Sequence, residues 1–285
     1  MTIHTHVSAA RQRLREAGIT PTESDLDARL LAQHVLGWTT ERFLTDAREP
    51  VPEGFTPRYD ALVARRVTRE PLAYIVGVRE FWGLELEVTP DVLIPRPATE
   101  LIVEAMQELF PDRAVPLRIA DVCTGCGCVA VAIAYERPSV LVRATDISRP
   151  ALEVATRNAA RHGVSDRIIF THGDLVDGIG DAFDAIVANP PYVVERARAA
   201  LQPEVRDHEP SLALFGGADG LALVARLISD APERLRPGGY LIFEFGLGQD
   251  LEVEHLIEAS PDLRLVGLRR DLQGIARTAI AKRVT

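Results

Sequence analysis

The tetrapeptide Asn-Pro-Pro-Tyr at 189–192 combines residue types that could hold a planar amino group. It follows an apolar run at 183–188 that is typical of a fully buried strand. The two prolines forbid further strand pairing and entry into a helix, so the sequence predicts a rigid corner. The side-chain oxygen of Asn189 and the carbonyl of Pro190 can accept two N–H bonds, and the ring of Tyr192 can stack on the group. Such a corner suits the transfer of a methyl group to a nitrogen atom.

The same four residues resemble the signature of methyltransferases that act on amino groups of adenine, cytosine or glutamine amides. A short motif also carries a risk of false matches. A proline-rich turn after a strand is therefore the alternative interpretation, and the tetrapeptide alone leaves the methyl acceptor open.

A second set of candidate residues lies at a predicted strand-to-helix turn. Gly125 and Gly127 allow the backbone to approach a ligand closely and to adopt positive φ. Asp146 ends the next predicted strand, where a carboxylate accepts hydrogen bonds from ribose hydroxyls. Because no phosphate-binding lysine accompanies the glycines, phosphoryl transfer is not expected. The pattern favours a nucleoside without a pyrophosphate, and S-adenosylmethionine fits it.

Two further carboxylates are candidates for contacts with that cofactor. Asp121, at the end of the first strand, could reach the ammonium group of the methionine part, directly or through water. Asp174, after the third strand, is placed to meet the adenine amino group.

The cysteines allow a rival interpretation. Cys123 and Cys126 form a CxxC pattern, which occurs in thioredoxin-like thiol pairs and in halves of zinc sites. No second CxxC and no paired histidines are present to complete four metal ligands, so we expect no metal site. A small side chain tolerated in a tight ligand loop is the simpler explanation.

Composition narrows the class of protein. The formal net charge of −9 argues against a duplex-binding protein, which needs a basic surface to neutralise phosphates. Residues 1–78 hold ten arginines and ten acidic residues, so the whole deficit lies in 79–285. No apolar stretch approaches the roughly 18 residues that span a bilayer, and the N-terminus lacks the apolar core of a signal peptide. We therefore expect a cytoplasmic protein with no membrane or direct nucleic-acid partner. We also expect a monomer, although composition does not determine the oligomeric state.

The elements that must position these residues follow three patterns. Residues 1–78 show helical periodicity and predict a bundle that binds a partner, with one helix capped by Ser24 and Asp25 and another over 58–69. Alternating apolar residues before a Pro-Asp turn predict a β-hairpin within 79–96. Residues 97–285 alternate strands with helices, which predicts an α/β fold with a doubly wound, mostly parallel sheet and an antiparallel hairpin at its edge.

The chain as a whole resembles the HemK/PrmC family of glutamine methyltransferases, which modify the Gly-Gly-Gln loop of peptide chain release factors. The resemblance rests on these blocks: EPLAYIVGVREFWGLELEVTPDVLIPRPATE at 70–100, DVCTGCG at 121–127, ATDIS at 144–148, NPPY, EPSLALFGGADGL at 209–221 and RDLQGIARTAIAKR at 270–283. It implies a helical substrate-recognition domain at 1–78, a β-hairpin linker at 79–96, and a Rossmann-like, seven-stranded, S-adenosylmethionine-dependent methyltransferase domain at 97–285.

The resemblance also implies roles for single residues. Those assigned to the cofactor are Asp121, Cys123, Thr124, Gly125, Cys126, Gly127, Asp146, Asp174, Leu175 and Asn189. Those placed against the glutamine amide are Asn189, Pro190, Pro191 and Tyr192, and we expect Asn189, Pro190 and Tyr192 to be catalytic. Glu209 and Glu244 are candidates for secondary roles, with a structural role as the simpler interpretation.

Two positions depart from the pattern of the family. Ala98 stands where the family usually has Glu or Asp, so the role of that carboxylate is absent here. Cys123 replaces the first glycine of the more usual DLGTGSG loop and resembles the sister enzymes that methylate a large-subunit ribosomal protein. The IPRP and DLQGIAR blocks favour release factors. The remaining alternatives are a nucleic-acid adenine methyltransferase and a non-catalytic adaptor.

Overall fold

The computed structural model describes residues 1–180 and 182–284. Backbone contacts divide the chain into two compact units. The first holds Met1–Gly77 together with Gln202–His208, and the second holds Val78–Leu201 and the chain from Glu209 onwards. The short segment Gln202–His208 thus groups with the N-terminal residues although it follows the tetrapeptide in sequence. The predicted domain boundaries at 78 and 96 stay a prediction.

The first unit is a helical bundle. Its helices are α1 Ile3–Glu16, α2 Pro21–Leu36, α3 Thr40–Asp46, α4 Phe55–Val67, α5 Leu72–Val76 and, from the later segment, α9 Pro203–His208. Helix α1 buries Val7, Ala10 and Leu14, whose spacing places them on one face. The predicted bundle is therefore present, with short helices that the periodicity did not indicate.

The predicted start of the second helix was wrong. Helix α2 begins at Pro21, and its N-cap is Thr20, whose hydroxyl accepts from the Glu23 N–H at 3.3 Å. Proline suits the first helical position because an N–H group there would have no partner within the helix, so its absence costs no hydrogen bond. Ser24, taken as the cap, lies inside the helix and donates to the Ile19 carbonyl instead.

A buried charge cluster attaches the later segment to the first unit. Arg66, with 5% of its side chain exposed, pairs with Asp27 at 2.7 Å and with Glu204 at 2.9 Å. Arg69 holds the other oxygen of Glu204 at 2.7 Å. Because removing one member of a buried pair leaves an uncompensated charge, this cluster fixes α9 on the bundle.

The second unit begins with the hairpin, which is made of β1 Val78–Phe81 and β2 Leu84–Glu87. Its turn lies at Trp82 and Gly83, with φ of 55° and 71°. A turn is present at Thr89-Pro90-Asp91, where the Val92 N–H donates to the Thr89 carbonyl at 3.1 Å, but its prediction as the turn of the hairpin was wrong. A two-residue turn with both φ values positive matches the twist of a hairpin, and tryptophan rarely signals such a position.

The rest of the second unit forms one sheet covered by helices. The strands are β3 Arg118–Val122, β4 Leu141–Asp146, β5 Ile168–His172, β6 Phe183–Ala188, β7 Leu235–Glu244, β8 Leu263–Arg270 and β9 Ala276–Arg283. The helices are α6 Glu100–Leu109, α7 Cys128–Glu136, α8 Arg149–Arg161, α10 Ala222–Arg234 and α11 Asp250–Glu258. The strand order is β5-β4-β3-β6-β7-β9-β8, with β9 antiparallel to its neighbours. The predicted α/β, seven-stranded, Rossmann-like fold is confirmed.

The position of the site follows from the order of the strands. After β3 the chain adds β4 and then β5 on one side of β3. It then reverses direction and adds β6 and β7 on the other side. Ligands of open α/β sheets bind beyond the carboxyl ends of the strands at such a reversal. Val122 pairs with Ala188, and Ala188 pairs with Phe243, so the residues after β3 and β6 and the end of β7 lie at one level.

Candidate active site

A cavity of about 240 Å³ lies at this carboxyl edge, within the second unit. The residues predicted for cofactor or substrate that line it are Asp121, Cys123, Thr124, Gly125, Cys126, Asp146, Asp174, Leu175, Asn189 and Pro191. Gly127, Pro190 and Tyr192 are next to these residues in the chain but do not line the cavity. The structure therefore brings both sets of candidate residues to one cavity, while their individual roles remain predictions.

We call residues 121–127 the cofactor loop. Its second glycine, Gly127, has φ of 81° and precedes α7, and a Cβ there would lie 3.0 Å from the Cβ of Ala155 on α8. Glycine at this position thus serves both the left-handed backbone and the close packing of two helices. Gly125, with φ of 56°, has free space where a Cβ would stand.

Asp121 is the buried carboxylate of the cofactor loop, with 1% of the residue exposed. Its Oδ2 accepts from the Thr124 hydroxyl at 2.5 Å and from the Ala130 N–H at 3.1 Å. Burial raises the pKa of Asp121 to about 7, against the lowering effect of these hydrogen bonds. Asp121 thus ties the loop to the first turn of α7 while it lines the cavity.

Asp146 is the last residue of β4, and its side chain also supports the cofactor loop. One oxygen accepts from the Gly125 N–H and the other from the Ser148 N–H, both at 2.8 Å. Burial raises the pKa of this carboxyl group as well. Each carboxylate oxygen has a further lone pair, so Asp146 can still accept from two adjacent hydroxyl groups such as those of a ribose.

The next pair of predicted cofactor residues follows β5. Asp174 lines the cavity and forms an ion pair with Arg226 at 2.9 Å, with both side chains partly exposed. Leu175 is buried, has φ of 49°, and its carbonyl accepts from the Thr145 hydroxyl at 2.7 Å. The pairing with Arg226 is a contact that the sequence patterns did not indicate.

Cys123 and Cys128 do not have the lowered pKa of reactive cysteines. Burial and the nearby carboxylates raise the pKa of Cys123, and a hydrogen bond with Cys126 together with burial raises that of Cys128. Redox-active cysteines instead have lowered pKa values. Among residues 1–180 and 182–284, no group of three or more potential metal ligands is found.

We call residues 189–192 the acceptor corner. The Asn189 side chain donates from Nδ2 to the Thr99 hydroxyl oxygen at 3.1 Å. Thr99 in turn donates to Glu244 Oε2 at 2.6 Å, and the Tyr192 hydroxyl donates to Glu244 Oε1 at 2.7 Å. Burial, followed by the adjacent Glu244, raises the pKa of Tyr192. The polar tip of Tyr192 is therefore anchored.

A glycine-rich segment at 216–220 supports the acceptor corner from behind. A Cβ on Gly216 would stand 2.4 Å from the Pro191 carbonyl oxygen, and one on Gly220 would stand 2.2 Å from that of Tyr192. Gln249 also donates to the Tyr192 carbonyl, at 3.1 Å. Sequence reasoning missed these residues as parts of the site, although the paired glycines of FGGADG were the available signal.

Glu209 has the structural role that was the simpler interpretation. It accepts from Arg96 at 2.5 Å and from the Ile94 N–H at 3.3 Å. The next residues, from Pro210, line the cavity. Glu209 thus holds the IPRP segment against one wall of the cavity.

Comparison with known proteins adds independent evidence. Residues 7–77 match the PrmC N-terminal domain, and residues 96–205 match the methyltransferase small domain. A release factor glutamine methyltransferase of Neisseria gonorrhoeae is 41% identical over 90% of this chain and 93% of its own length. One of Nitratidesulfovibrio vulgaris is 40% identical over 96% of this chain and 92% of its own length.

Solved structures show the same fold. A methyltransferase from Pyrococcus furiosus superposes with a TM-score of 0.52 at 18% identity, over 78% of this chain and 98% of that one. At this identity the likeness concerns the fold alone. No helix among the residues described here is long and apolar enough to cross a membrane.

Proposed function

Because this chain belongs to the release factor glutamine methyltransferase family, we propose that it methylates the side-chain amide nitrogen of the glutamine in the Gly-Gly-Gln motif of peptide chain release factors. The observation that carries the proposal is the meeting of the cofactor loop and the acceptor corner at one cavity. One side of this cavity suits a nucleoside, and the other suits a planar amide.

The residues present fit S-adenosylmethionine. Asp146 offers acceptors for ribose hydroxyls, Asp121 is a buried carboxylate that can face an ammonium group, and apolar atoms dominate the remaining wall. S-adenosylmethionine supplies an activated methyl group on a sulfonium sulfur. The chain has only to hold donor and acceptor in line, since correct orientation alone removes a large part of the barrier.

At the acceptor side, Asn189 and Pro190 hold the amide. The oxygen of the Asn189 side chain and the carbonyl of Pro190 accept the two N–H bonds of the substrate. The lone pair of an amide nitrogen is delocalised, so positive charge grows on this nitrogen as the methyl group arrives. Two fixed acceptors stabilise that charge in the transition state. No strong general base is needed, because the methylated nitrogen readily loses its proton.

The N-terminal residues are proposed to recognise the release factor. They form a compact unit, match the PrmC N-terminal domain, and contain none of the residues that line the cavity. We further propose that the protein acts as a cytoplasmic monomer without direct contact to nucleic acid, in line with its net charge of −9.

The proposal is tested with the purified chain, S-adenosylmethionine and each candidate substrate separately. Tryptic mass spectrometry should show the gain of one CH₂ group on the glutamine of the Gly-Gly-Gln motif of a release factor. A large-subunit ribosomal protein and an adenine-containing oligonucleotide are the comparison substrates and should remain unmodified. A gain on the ribosomal protein alone would overturn the proposed substrate, and a gain on the oligonucleotide alone would overturn the acceptor class.

A further inference from the structure

Glu244 is a carboxylate that the proposed reaction does not use, and it lies directly behind the acceptor corner. It ends β7, with 1% of the residue exposed. Among the ion pairs of the described residues, none involves Glu244. A buried carboxylate without a cation is costly unless hydrogen bonds compensate for its lost hydration. Its two oxygens receive such bonds from Thr99 and Tyr192.

The direction of these bonds sets the orientation of Asn189. Burial raises the pKa of Glu244, whereas the hydrogen bonds from Thr99 and Tyr192 and the charges of Arg277 and Arg96 favour its ionised form. With both hydroxyls donating to this carboxylate, the single hydroxyl proton of Thr99 points to Glu244. The Thr99 oxygen can then only accept a hydrogen bond from Asn189. Of the two ends of the Asn189 amide, only the NH₂ group can donate one. The 3.1 Å contact from Nδ2 to Thr99 is the observed result.

We propose that Glu244 and Thr99 are positioning residues that select one of the two flips of the Asn189 amide. This inference rests on the proposed function, because the selected flip directs Oδ1, and not the NH₂ group, at the substrate. An Asn side chain is nearly symmetric in shape, so packing alone does not distinguish its two ends. The wrong flip would present donors to the N–H bonds of the substrate amide.

The same chain of bonds strengthens Asn189 as an acceptor. The charge of Glu244 polarises the Thr99 hydroxyl, which polarises the amide of Asn189. Electron density thereby shifts toward Oδ1, which becomes a stronger acceptor. The N–H groups of the substrate that donate to Oδ1 become stronger donors as positive charge grows on their nitrogen during methyl transfer. Loss of the relay should therefore lower kcat more than it weakens cofactor binding.

Glu244→Gln is the sharpest test, because it keeps the shape of the side chain. The new NH₂ group can donate to Thr99, which frees the Thr99 proton to turn toward Asn189 and favour the wrong flip. We expect kcat for release-factor methylation to fall at least about tenfold, with the Kd for S-adenosylmethionine within about threefold of wild type. Thr99→Val, which removes the hydroxyl but keeps the branched shape, should behave in the same way.

Two matched variants separate positioning from mere packing. Thr99→Ser retains the hydroxyl and should keep at least about a third of the wild-type kcat. Thr278 pairs with Glu244 across β7 and β9, and its buried hydroxyl has no hydrogen-bond partner among residues 1–180 and 182–284. Thr278→Val deletes this hydroxyl and should leave kcat unchanged.

Several outcomes would overturn the relay. These are wild-type kcat in Glu244→Gln and Thr99→Val, failure of Thr99→Ser to rescue, or a parallel loss of cofactor affinity in all variants. Failure of the proposed function is distinguishable, because the wild-type protein itself would then leave the release factor unmodified.

Discussion

The cofactor loop and the acceptor corner are both built around a buried carboxylate, but they are held together differently. Asp121 bonds to residues three and nine positions away in the chain. Glu244 bonds to Tyr192 and Thr99, which are 52 and 145 positions away. The cofactor loop is therefore organised mainly by residues near it in the chain, with Asp146, 21 positions from Gly125, as a further support. The acceptor corner, in contrast, forms only when segments up to 145 positions apart have packed.

This difference separates the two tasks of the site. A local loop can hold the cofactor with the same geometry whether or not substrate is present. The acceptor corner depends on a network of several segments, which sets the exact direction of one amide. Substitutions should therefore affect cofactor binding and methyl transfer independently.

Gly220→Ala should give the largest effect and should fall on the acceptor corner alone. A Cβ there would lie 2.2 Å from the Tyr192 carbonyl oxygen, and φ is +78°, so the corner must shift. Because a displacement of about 1 Å can cost about a hundredfold, methyl transfer should fall by roughly that factor. Steady-state kinetics and calorimetric titration with S-adenosylmethionine measure the two functions. An equal loss of cofactor affinity would show that the two regions are not separable.

Gly127→Ala should break the cofactor loop instead. The new Cβ meets Ala155 at 3.0 Å, with φ of +81°. Strain of this kind costs about 1–3 kcal/mol, so the Kd for S-adenosylmethionine should rise roughly tenfold or more. Gly125→Ala is the matched control: its φ is +56° and its Cβ meets nothing within 4 Å, so the rise in Kd should be smaller. Equal effects of both variants would contradict the packing argument.

The pH dependence of cofactor affinity sharpens the role of Asp121. Its pKa of about 7 means that the carboxyl is mainly neutral at pH 6 and mainly ionised at pH 7.5. If it faces the ammonium group, the affinity should rise by about fivefold over this range, since an α-amino group with a pKa of about 7.7–8.0 is still mostly protonated at pH 7.5. In Asp121→Asn the rise should disappear. A wild-type affinity that is flat, or that falls with pH, would remove Asp121 from the ammonium site.

Cys123→Gly should give the smallest effect. Cys123 adopts φ of 58°, a region in which glycine is unstrained. The substitution relieves about 1 kcal/mol of backbone strain, but glycine also has greater freedom in the unfolded chain. We therefore expect the free energy of unfolding, measured by thermal unfolding, to rise by roughly 0.5 kcal/mol. Cys123→Ala keeps the strain and should show no gain. A clear loss of stability in Cys123→Gly would mean that the thiol contributes packing that outweighs the strain.

The same contrast explains what could be predicted from the sequence. Strands, helices and the glycine turn before α7 are local patterns, and they indicated the doubly wound α/β fold and the glycines of the cofactor loop. The number of strands and the other residues of the loop came from the family resemblance. The hairpin turn was misplaced because Trp82 occupies a left-handed position that usually signals itself by glycine or asparagine. The start of α2 was misplaced because Ser24 and Asp25 offered a competing cap.

The parts that could not be predicted are contacts between distant segments. Thr99 carries no local signal for a contact with the acceptor corner, and the paired glycines at 216 and 217 signal a tight approach of the backbone without naming its partner. Thr99 meets the corner through Glu244, which ends β7 beside the end of β6. Gly216 is brought there by the return of the chain after the tetrapeptide, where its N–H donates to the Val193 carbonyl at 3.0 Å. The segment Gln202–His208 was predicted to belong with the methyltransferase domain at 97–285 for the same reason. Its attachment to the helical bundle depends on two residues that are distant in sequence, Arg66 and Arg69.

The most direct test of the account is to measure both functions of one variant, Asn189→Ala. We expect the Kd for S-adenosylmethionine to stay within about threefold of wild type. Methylation of the release-factor glutamine should fall at least about tenfold, because one of two fixed acceptors is lost. Calorimetric titration and timed mass spectrometry provide the two values on the same preparation. Methylation at the wild-type rate in Asn189→Ala would contradict the central claim that the acceptor corner holds the amide.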